Sequence, residues 1–315
     1  MKQPLIILTG PTAVGKTELS IQLASRLQGS IISADSMQVY RHMDIGSAKI
    51  TTEEMRGISH YLIDILEPDE DFHVVKFQEY AKRSMDEIYA SGRIPILVGG
   101  TGFYIQALLY DIDFTNQQED LAYRAWLEQE AAEKGAHFLH QMLIKADPRA
   151  AAEIHENNVK RTIRALEFHH LSGQKISEHN AKERQKESPY RFAYFVLNDD
   201  RDKLYQRINS RVDQMMEHGL VEEVRHLQQL GCDRHMVSMQ GLGYKEVLDY
   251  LDGDCTLEEA AYRIKRDTRH FAKRQLTWFR REREVTWIQK QEFSYDNEKI
   301  LAHMEKILTE KGIIK

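Results

Sequence analysis

The stretch LIILTGPTAVGKTELS, residues 5–20, decides the fold. It starts as a short apolar run, continues through a loop of the pattern G-x-x-x-x-G-K-[ST], and ends in apolar residues at helical spacing. In such a unit the glycines let consecutive N–H groups point at phosphate oxygens, and the helix N-terminus adds partial positive charge. We therefore predict a phosphate-binding loop. Its residues are Gly10, Pro11, Thr12, Ala13, Val14, Gly15, Lys16 and Thr17.

The loop alone leaves open whose phosphates it holds. Lys16 would neutralise the terminal phosphate, and the Thr17 hydroxyl can bind Mg²⁺. An ATP-driven enzyme also needs an apolar strand that ends in Asp or Glu beside the loop. The candidate strand, IPILVGGTG at residues 94–102, ends in glycines and a threonine. The sequence therefore argues against ATP-driven work.

Further apolar runs predict strands at SIISADS (30–36), IPILVGGTG (94–102) and YRFAYFVLND (190–199), the last with an alternating pattern. Because strands alternate with helices, we predict an α/β fold with a parallel sheet and helices on both faces. Residues 113–190 show long charged helical patterns without a strand signal, which predicts an all-helical insertion. The expected organisation is the first part of the loop-containing core at 1–112, the insertion at 113–190, and the core continuation with helices to the C-terminus at 191–315.

Composition narrows the class of protein. Of 315 residues, 42% are hydrophobic and 29% charged, and no apolar run approaches the ~20 residues of a membrane span. The N-terminus lacks the pattern of a signal peptide, so we expect a cytoplasmic protein without membrane contact. Cys232 and Cys255 are not in the close pairs of zinc or redox sites and are expected to be reduced, structural thiols. His169 and His170 lack further ligands at zinc-site spacing.

One stretch is strongly basic, although the net charge is −6. Residues 262–283 hold nine Lys or Arg against two acids, with aromatic residues between them. A solvated amphipathic helix and a nucleic-acid surface both fit this pattern. We expect Trp278 and Phe279 to be core residues that anchor this helix rather than platforms for stacked bases.

Asp35 follows directly after a predicted strand, where ligands of open α/β sheets bind. A carboxylate at this point could accept a proton from a group placed in line with the bound phosphates. It could equally cap the segment that follows. Spacing alone does not decide between these roles.

Several motifs together resemble the tRNA dimethylallyltransferases, the isopentenyl transferases that modify the adenosine 3′ of the anticodon. The resemblance extends from the first residues to about Trp287. Because the chain has no cysteine pairs for an added zinc finger, it is most similar to the bacterial type. Two departures are Ser47 and Ile50, where the family's usual DIGTAKP reads DIGSAKI. The motifs are GPTAVGKT (10–17), ADSMQVYRHMDIGSAK (34–49), GGTGFYIQALL (99–109), RALEFHHLSG (164–173), GLGYKE (241–246) and RHFAKRQLTWFRR (269–281).

The resemblance implies that the loop holds the diphosphate of dimethylallyl diphosphate with Mg²⁺, and thus stabilises a leaving group. Asp35 would then accept a proton from the exocyclic amine of adenine. Thr12 is implied as a further contact to the diphosphate or the amine, and Arg207 could take the place of Arg211. The implied catalytic residues are Asp35, Lys16, Thr17, Thr101 and Arg211.

For tRNA, the resemblance implies that the target base is extruded from the anticodon loop into the site. The helical insertion would clamp the anticodon stem, and the basic stretch would bind the RNA phosphates. Gln38 would read an edge of the base. A monomer is expected. The implied tRNA contacts are Asp35, Ser36, Met37, Gln38, Thr101, Val159, Lys160, Arg161, Thr162, Ile163, Lys273, Arg274 and Arg280.

Three alternatives stay open at this point. A transferase acting on free adenine nucleotides would share the loop and Asp35 but would not need the insertion or the basic stretch. A small-molecule phosphotransferase would consume ATP. A non-catalytic tRNA-binding protein would tolerate the loss of Asp35.

Overall fold

The computed structural model describes residues 2–114 and 120–315 of the chain. Within them, the strands are β1 Pro4–Thr9, β2 Gly29–Ala34, β3 His60–Tyr61, β4 Ile94–Gly99, β5 Arg191–Asn198 and β6 Val285–Gln289. The helices are α1 Lys16–Leu27, α2 Val74–Ala90, α3 Gly102–Leu109, α4 Leu121–Ala146, α5 Pro148–Glu153, α6 Val159–Ser172, α7 Ile176–Glu183, α8 Arg201–Glu217, α9 Leu220–Gln229, α10 Tyr244–Leu251, α11 Leu257–Phe279 and α12 Asn297–Glu310.

The strands form one parallel sheet in the order β3-β2-β4-β1-β5-β6. This confirms the predicted α/β class and the strand–loop–helix unit at the N-terminus. The prediction of helices alone after β5 is wrong, because β6 pairs with β5 over five residue pairs. Its sequence VTWIQ is rich in the β-branched and aromatic residues that favour strands, but it follows directly on the long basic stretch.

Both faces of the sheet are covered. In β1 the side chains of Leu5, Ile6, Ile7 and Leu8 are all fully buried, and successive side chains of a strand point to opposite faces. On one face, Ile6 and Leu8 belong to a core shared with α1 and α12. β5 is likewise buried without a break over residues 193–197, so the alternation predicted for it is not seen, as expected for an interior strand of a parallel sheet.

The chain divides into two compact units, Met1–Leu108 with Pro189–Lys315, and Leu109–Ser188. The bounds predicted from the sequence for the insertion are residues 113 and 190. Every regular element described in the second unit is a helix, from α4 to α7. Its core holds Leu127, Leu139, Leu143 and Leu166, together with the fully buried carboxylate of Glu167, which two arginines neutralise.

The register of three neighbouring strands places their carboxyl ends at one level. Thr9 of β1 and Ala34 of β2 are both paired with Gly99 of β4. The backbones approach closely here, because a Cβ on Gly99 would lie 2.1 Å from the carbonyl oxygen of Ala34. The carboxyl ends of β1, β4 and β2 therefore lie next to one another. The predicted phosphate loop and Asp35 follow β1 and β2 at this same edge of the sheet.

Two smaller predictions concern the thiols and the membrane. Cys232 and Cys255 are both free thiols in the structure, as expected. Among the helices of the described residues, none combines the length and the apolar character that crossing a bilayer requires.

Candidate active site

The phosphate loop has the backbone conformation that its glycines allow. Gly10 (φ 144°), Ala13 (φ 61°) and Gly15 (φ 96°) all have positive φ, which turns peptide groups toward the inside of the loop. Gly10 cannot be replaced by a larger residue, because its Cβ would lie 2.4 Å from the carbonyl oxygen of Leu197. Gly15 caps α1, so the loop leads directly into a helix N-terminus. This geometry suits an anion.

Charged groups from three elements converge on Lys16. Its Nζ donates hydrogen bonds to the carbonyl oxygens of Gly10 (3.0 Å) and Pro11 (2.8 Å). The pKa of Lys16 is lowered to about 7, first by burial and then by the charge of Arg211, while the carboxylate of Asp35 opposes the shift. Two cations and one carboxylate therefore interact at the mouth of the loop. A bound anion would stabilise both cations.

Arg211 and Arg207 lie one turn apart on α8 but have different surroundings. Arg207 pairs with the buried Asp199, and its Nε donates to the carbonyl oxygen of Ala13 at 3.0 Å. In the described part of the chain, no hydrogen bond or ion pair engages Arg211, and its guanidinium has its pKa lowered by burial and by Arg207. Arg207 thus braces the loop from outside, and Arg211 is the arginine with donors available to a ligand.

Asp35 serves as a local cap and still has a second oxygen available. Its Oδ1 accepts the backbone N–H of Met37 at 2.8 Å, which is the capping role that spacing allowed. No other hydrogen bond to this carboxylate occurs within the described residues. The side chain is half-buried at the edge of β2, so Oδ2 is able to accept a proton or a hydrogen bond.

The end of β4 lies between Asp35 and the loop. The backbone N–H of Thr101 donates to the carbonyl oxygen of Ala34, the residue before Asp35, at 3.2 Å. On the other side, the N–H of Thr12 donates to Oε1 of Gln275 at 2.9 Å, and Nε2 of Gln275 donates to Gly100 at 3.0 Å. Gln275 went unnoticed in the sequence, where it is one residue within the basic stretch.

Glu223 of α9 anchors the loop that follows Asp35, and no pattern in the sequence singled it out. Its carboxylate accepts the successive backbone N–H groups of residues 44, 45 and 46 at 2.7–3.0 Å. It also accepts the hydroxyl of the buried Tyr244 at 2.8 Å. Gly46 lies directly on this ring, since a Cβ there would be 2.6 Å from it.

The side chains of this loop are partly bonded to one another. Gln38 accepts the hydroxyl of Ser33 at 3.2 Å, and Met37 packs against Gly241, the first residue of the GLGYKE motif. Of the two departures from the family pattern, Ser47 donates its hydroxyl to the carbonyl of Met43 at 2.6 Å. Ile50 joins the core beside α1.

The basic stretch forms most of α11, and its charges fall into two groups. In the first half, Arg263, Lys265 and Arg266 are paired with Glu259, Asp213 and Asp267. In the second half, four exposed cations take part in no ion pair within the described residues. These are Lys273, Arg274, Arg280 and Arg281, which we call the α11 cation surface. Phe279 is fully buried, as predicted, and Trp278 packs on Gly102.

The remaining predicted tRNA contacts, residues 159–163, are the first five residues of α6 in the second unit. Asn158 caps this helix by accepting the N–H of Arg161. Lys160 and Arg161 are exposed, whereas Thr162 and Ile163 are buried and Val159 is half-buried. Of the five, the two cations therefore present their side chains to solvent.

Metal ligands are sparse around the loop. The residues described contain no cluster of three or more His, Cys, Asp or Glu able to hold an ion. Thr17 is exposed at the start of α1, and its hydroxyl has no hydrogen bond to described residues. A divalent cation that arrives with a diphosphate fits such a donor set, because Mg²⁺ retains waters and takes its other ligands from substrate phosphates.

Comparisons with known proteins agree with one another. A model of the IPP transferase family matches residues 38–282. The tRNA dimethylallyltransferase of Lachnoclostridium phytofermentans is 62% identical over 313 residues, 99% of this chain and 100% of that protein. The crystal structure of the full-length tRNA isopentenylpyrophosphate transferase from Bacillus halodurans has a TM-score of 0.74 at 47% identity, covering 99% of this chain and 98% of that one. A eukaryotic dimethylallyltransferase, captured acting on tRNA, has a TM-score of 0.79 at 29% identity, covering 91% and 74%.

The electrostatics of Lys16 predict its titration. Because its pKa is lowered to about 7, Lys16 should reach half its maximal reactivity with an amine-acylating reagent near pH 7. Inorganic diphosphate with Mg²⁺ should move this midpoint upward, since negative charge favours the ammonium form. Peptide mass spectrometry after labelling at a series of pH values measures both. Lys203, whose pKa is raised by Tyr295, serves as the internal control. A Lys16 midpoint above pH 9 without diphosphate would contradict the prediction.

The anchoring role of Glu223 predicts a local effect. In Glu223→Gln, an amide NH₂ would face backbone N–H donors, and unsatisfied groups of this kind cost about 1–3 kcal/mol. The amides of residues 44–46 should exchange hydrogen for deuterium faster, and the Tm should fall. The neighbouring, exposed Glu222 provides the matched control Glu222→Gln. Equal exchange rates in both variants would exclude the anchoring role.

Proposed function

The chain belongs to the IPP transferase family, and from this premise we propose that it transfers a dimethylallyl group from dimethylallyl diphosphate to tRNA. The acceptor is the exocyclic amine of the adenosine 3′ of the anticodon, and the products are isopentenyladenosine and diphosphate. One observation carries the proposal. Asp35 interacts with Lys16 and Arg211 at the mouth of the phosphate loop, where β4 ends in Gly99 and Gly100 instead of a carboxylate.

The loop, Lys16 and Arg211 receive the diphosphate. When the bond from the allylic carbon to the diphosphate oxygen breaks, the negative charge on the leaving group increases. The inward N–H groups and the two cations are already in place to stabilise that charge, so the transition state gains more than the bound substrate. The unpaired state of Arg211 and the lowered pKa of Lys16 both support an anion in this position.

Asp35 acts on the acceptor. As the amine nitrogen of adenine forms its bond to the allylic carbon, one of its protons must leave, and Oδ2 of Asp35 accepts it. The Oδ1 hydrogen bond to Met37 fixes the orientation of the carboxylate. Thr12 in the phosphate loop and Thr101 after β4 are linked through Gln275 and Gly100, which supports their predicted contacts with the diphosphate and the amine.

Mg²⁺ would bind to Thr17 and to the diphosphate, where it supplies further charge neutralisation for the leaving group. The free Thr17 hydroxyl supports this ligand. Lys16 and Arg211 would then bind the diphosphate oxygens that the metal does not coordinate.

Two parts of the first unit would bind the RNA: the loop that follows β2 and the α11 cation surface. The loop of residues 35–38 would grip the extruded adenine, and Glu223 keeps the following turn in place. Lys273, Arg274 and Arg280 would follow the RNA phosphates, a contact that depends on salt and little on sequence. The exposed Lys160 and Arg161 offer two further cations on the helical unit for the anticodon stem.

The alternatives fit less well. A phosphotransferase is disfavoured by the glycines at the end of β4, where no carboxylate can hold a water-bound metal. A transferase for free nucleotides would leave the four unpaired cations of the α11 cation surface without a purpose. A non-catalytic RNA-binding protein would not need two half-buried cations beside Asp35.

The transfer reaction gives the first test. The wild-type protein should transfer labelled dimethylallyl to an unmodified anticodon stem-loop with three adenosines across the position 3′ of the anticodon, with Mg²⁺ and without ATP. Asp35→Asn should slow kcat by about 10²–10⁴-fold, because an amide cannot take up the proton. Asparagine still accepts the Met37 N–H, so RNA affinity, measured by filter binding, should stay within threefold.

Each alternative has its own outcome in this assay. Transfer to AMP in preference to the stem-loop would favour the free-nucleotide enzyme, and a requirement for ATP would favour the phosphotransferase. Full activity of Asp35→Asn would remove Asp35 from the proposed chemistry.

The α11 cation surface gives a second test. Each of Lys273→Gln, Arg274→Gln and Arg280→Gln should weaken stem-loop binding and lower the slope of log K against log[salt] by about 0.7–0.9, the release of one counterion per phosphate contact. Lys265→Gln is the control, because Lys265 is paired with Asp213 on the same helix. Equal slopes in all four variants would place the RNA elsewhere.

A further inference from the structure

Gln275 joins two chain segments that the sequence separates widely. Gln275 is 6% exposed, and its side chain reaches from α11 to the phosphate loop and to the end of β4. Oε1 accepts the N–H of Thr12 at 2.9 Å, and Nε2 donates to the carbonyl oxygen of Gly100 at 3.0 Å. The orientation of the amide is unambiguous, because an N–H requires the oxygen and a carbonyl requires the NH₂.

The chain of hydrogen bonds continues to the third strand end. The peptide group between Gly100 and Thr101 accepts from Gln275 through its C=O and donates through its N–H to the carbonyl oxygen of Ala34 at 3.2 Å. Ala34 is followed by Asp35. A single path of hydrogen bonds therefore runs from the phosphate loop through Gln275 and Thr101 to the backbone beside the proposed base.

The contact is close enough to restrict its neighbours. A Cβ on Gly100 would lie 2.2 Å from Nε2 of Gln275, so only glycine lets the amide reach this carbonyl. Because a planar amide holds its oxygen and nitrogen at a fixed separation, it also fixes the distance between the two main-chain groups that it bridges.

We propose that Gln275 is a positioning residue whose amide sets the separation of Thr12 and Thr101 across the reacting centre. The inference rests on the proposed function, in which these threonines border the diphosphate and the amine. Without the bridge, the phosphate loop and the end of β4 shift independently. The reacting atoms then lose the alignment on which transfer depends, and a misplacement of about 1 Å costs on the order of 10²-fold in rate.

Two substitutions separate the hydrogen bonds from the volume of the side chain. Gln275→Leu keeps similar bulk and loses both bonds, whereas Gln275→Glu keeps an acceptor for Thr12 and presents a carboxylate to the carbonyl of Gly100. Both should lower kcat at saturating substrates by 10–100-fold and weaken binding of inorganic diphosphate by about tenfold, as measured by calorimetry. The KM for the stem-loop should change less than threefold.

Gln78 supplies the matched control. It is also a buried glutamine, and its Nε2 donates to the carbonyl oxygen of Ala107 at 2.8 Å, between α2 and α3. Gln78→Leu should lower the Tm as Gln275→Leu does and keep kcat within twofold of wild type. The proposal is overturned if Gln275→Leu retains kcat and diphosphate affinity within threefold, or if Gln78→Leu loses as much of both.

If the proposed transferase function is wrong, the outcome of these experiments is different. In that case the wild type itself transfers no dimethylallyl to RNA. Diphosphate affinity still tests Gln275 then, because the binding comparison between Gln275→Leu and Gln78→Leu does not depend on the acceptor.

Discussion

The candidate site depends on the alignment of three parallel strand ends. Neighbouring strands lie about 4.8 Å apart, and β4 separates β1 from β2, so the phosphate loop and Asp35 are held roughly 10 Å apart across the sheet edge. The close approach of Gly99 to Ala34 fixes one half of that spacing. A short allylic chain between a diphosphate and an attacking amine spans such a gap. In the proposed function, the sheet would therefore set the distance between the diphosphate and the attacking amine.

Electrostatic strain is the second constraint. Lys16 and Arg211 are both half-buried, the charge of Arg211 lowers the pKa of Lys16, and Asp35 opposes the pKa shift at each cation. Arg207, one turn away on the same helix, is by contrast paired with Asp199. In the proposed function, an anion bound at the loop would favour the charged forms of both cations.

Sequence was sufficient for the parts of the protein that local patterns encode. The phosphate loop, the strands beside it and the position of Asp35 follow from short motifs whose physical meaning is local, and the structure has the predicted parallel sheet. β6 was missed because five residues of strand follow a long helical pattern. Glu223 and Gln275 could not have been predicted, since each acts on main-chain groups more than 170 residues away, and nothing in a sequence marks which backbone N–H a side chain will meet.

The hydrogen bonds from residues 44–46 to Glu223 determine which substitutions this segment can accept. Within this segment Glu223 binds only backbone N–H groups, which every residue except proline provides, so the anchor itself does not depend on the side chains of residues 44 and 45. Side-chain contacts restrict two positions: Gly46 lies on the ring of Tyr244, and Asp44 pairs with the buried ammonium of Lys49. Ser47 and Ile50, which differ from the family's usual threonine and proline, lie just beyond the anchored amides. A residue far away in the sequence therefore holds the backbone of this segment in its shape.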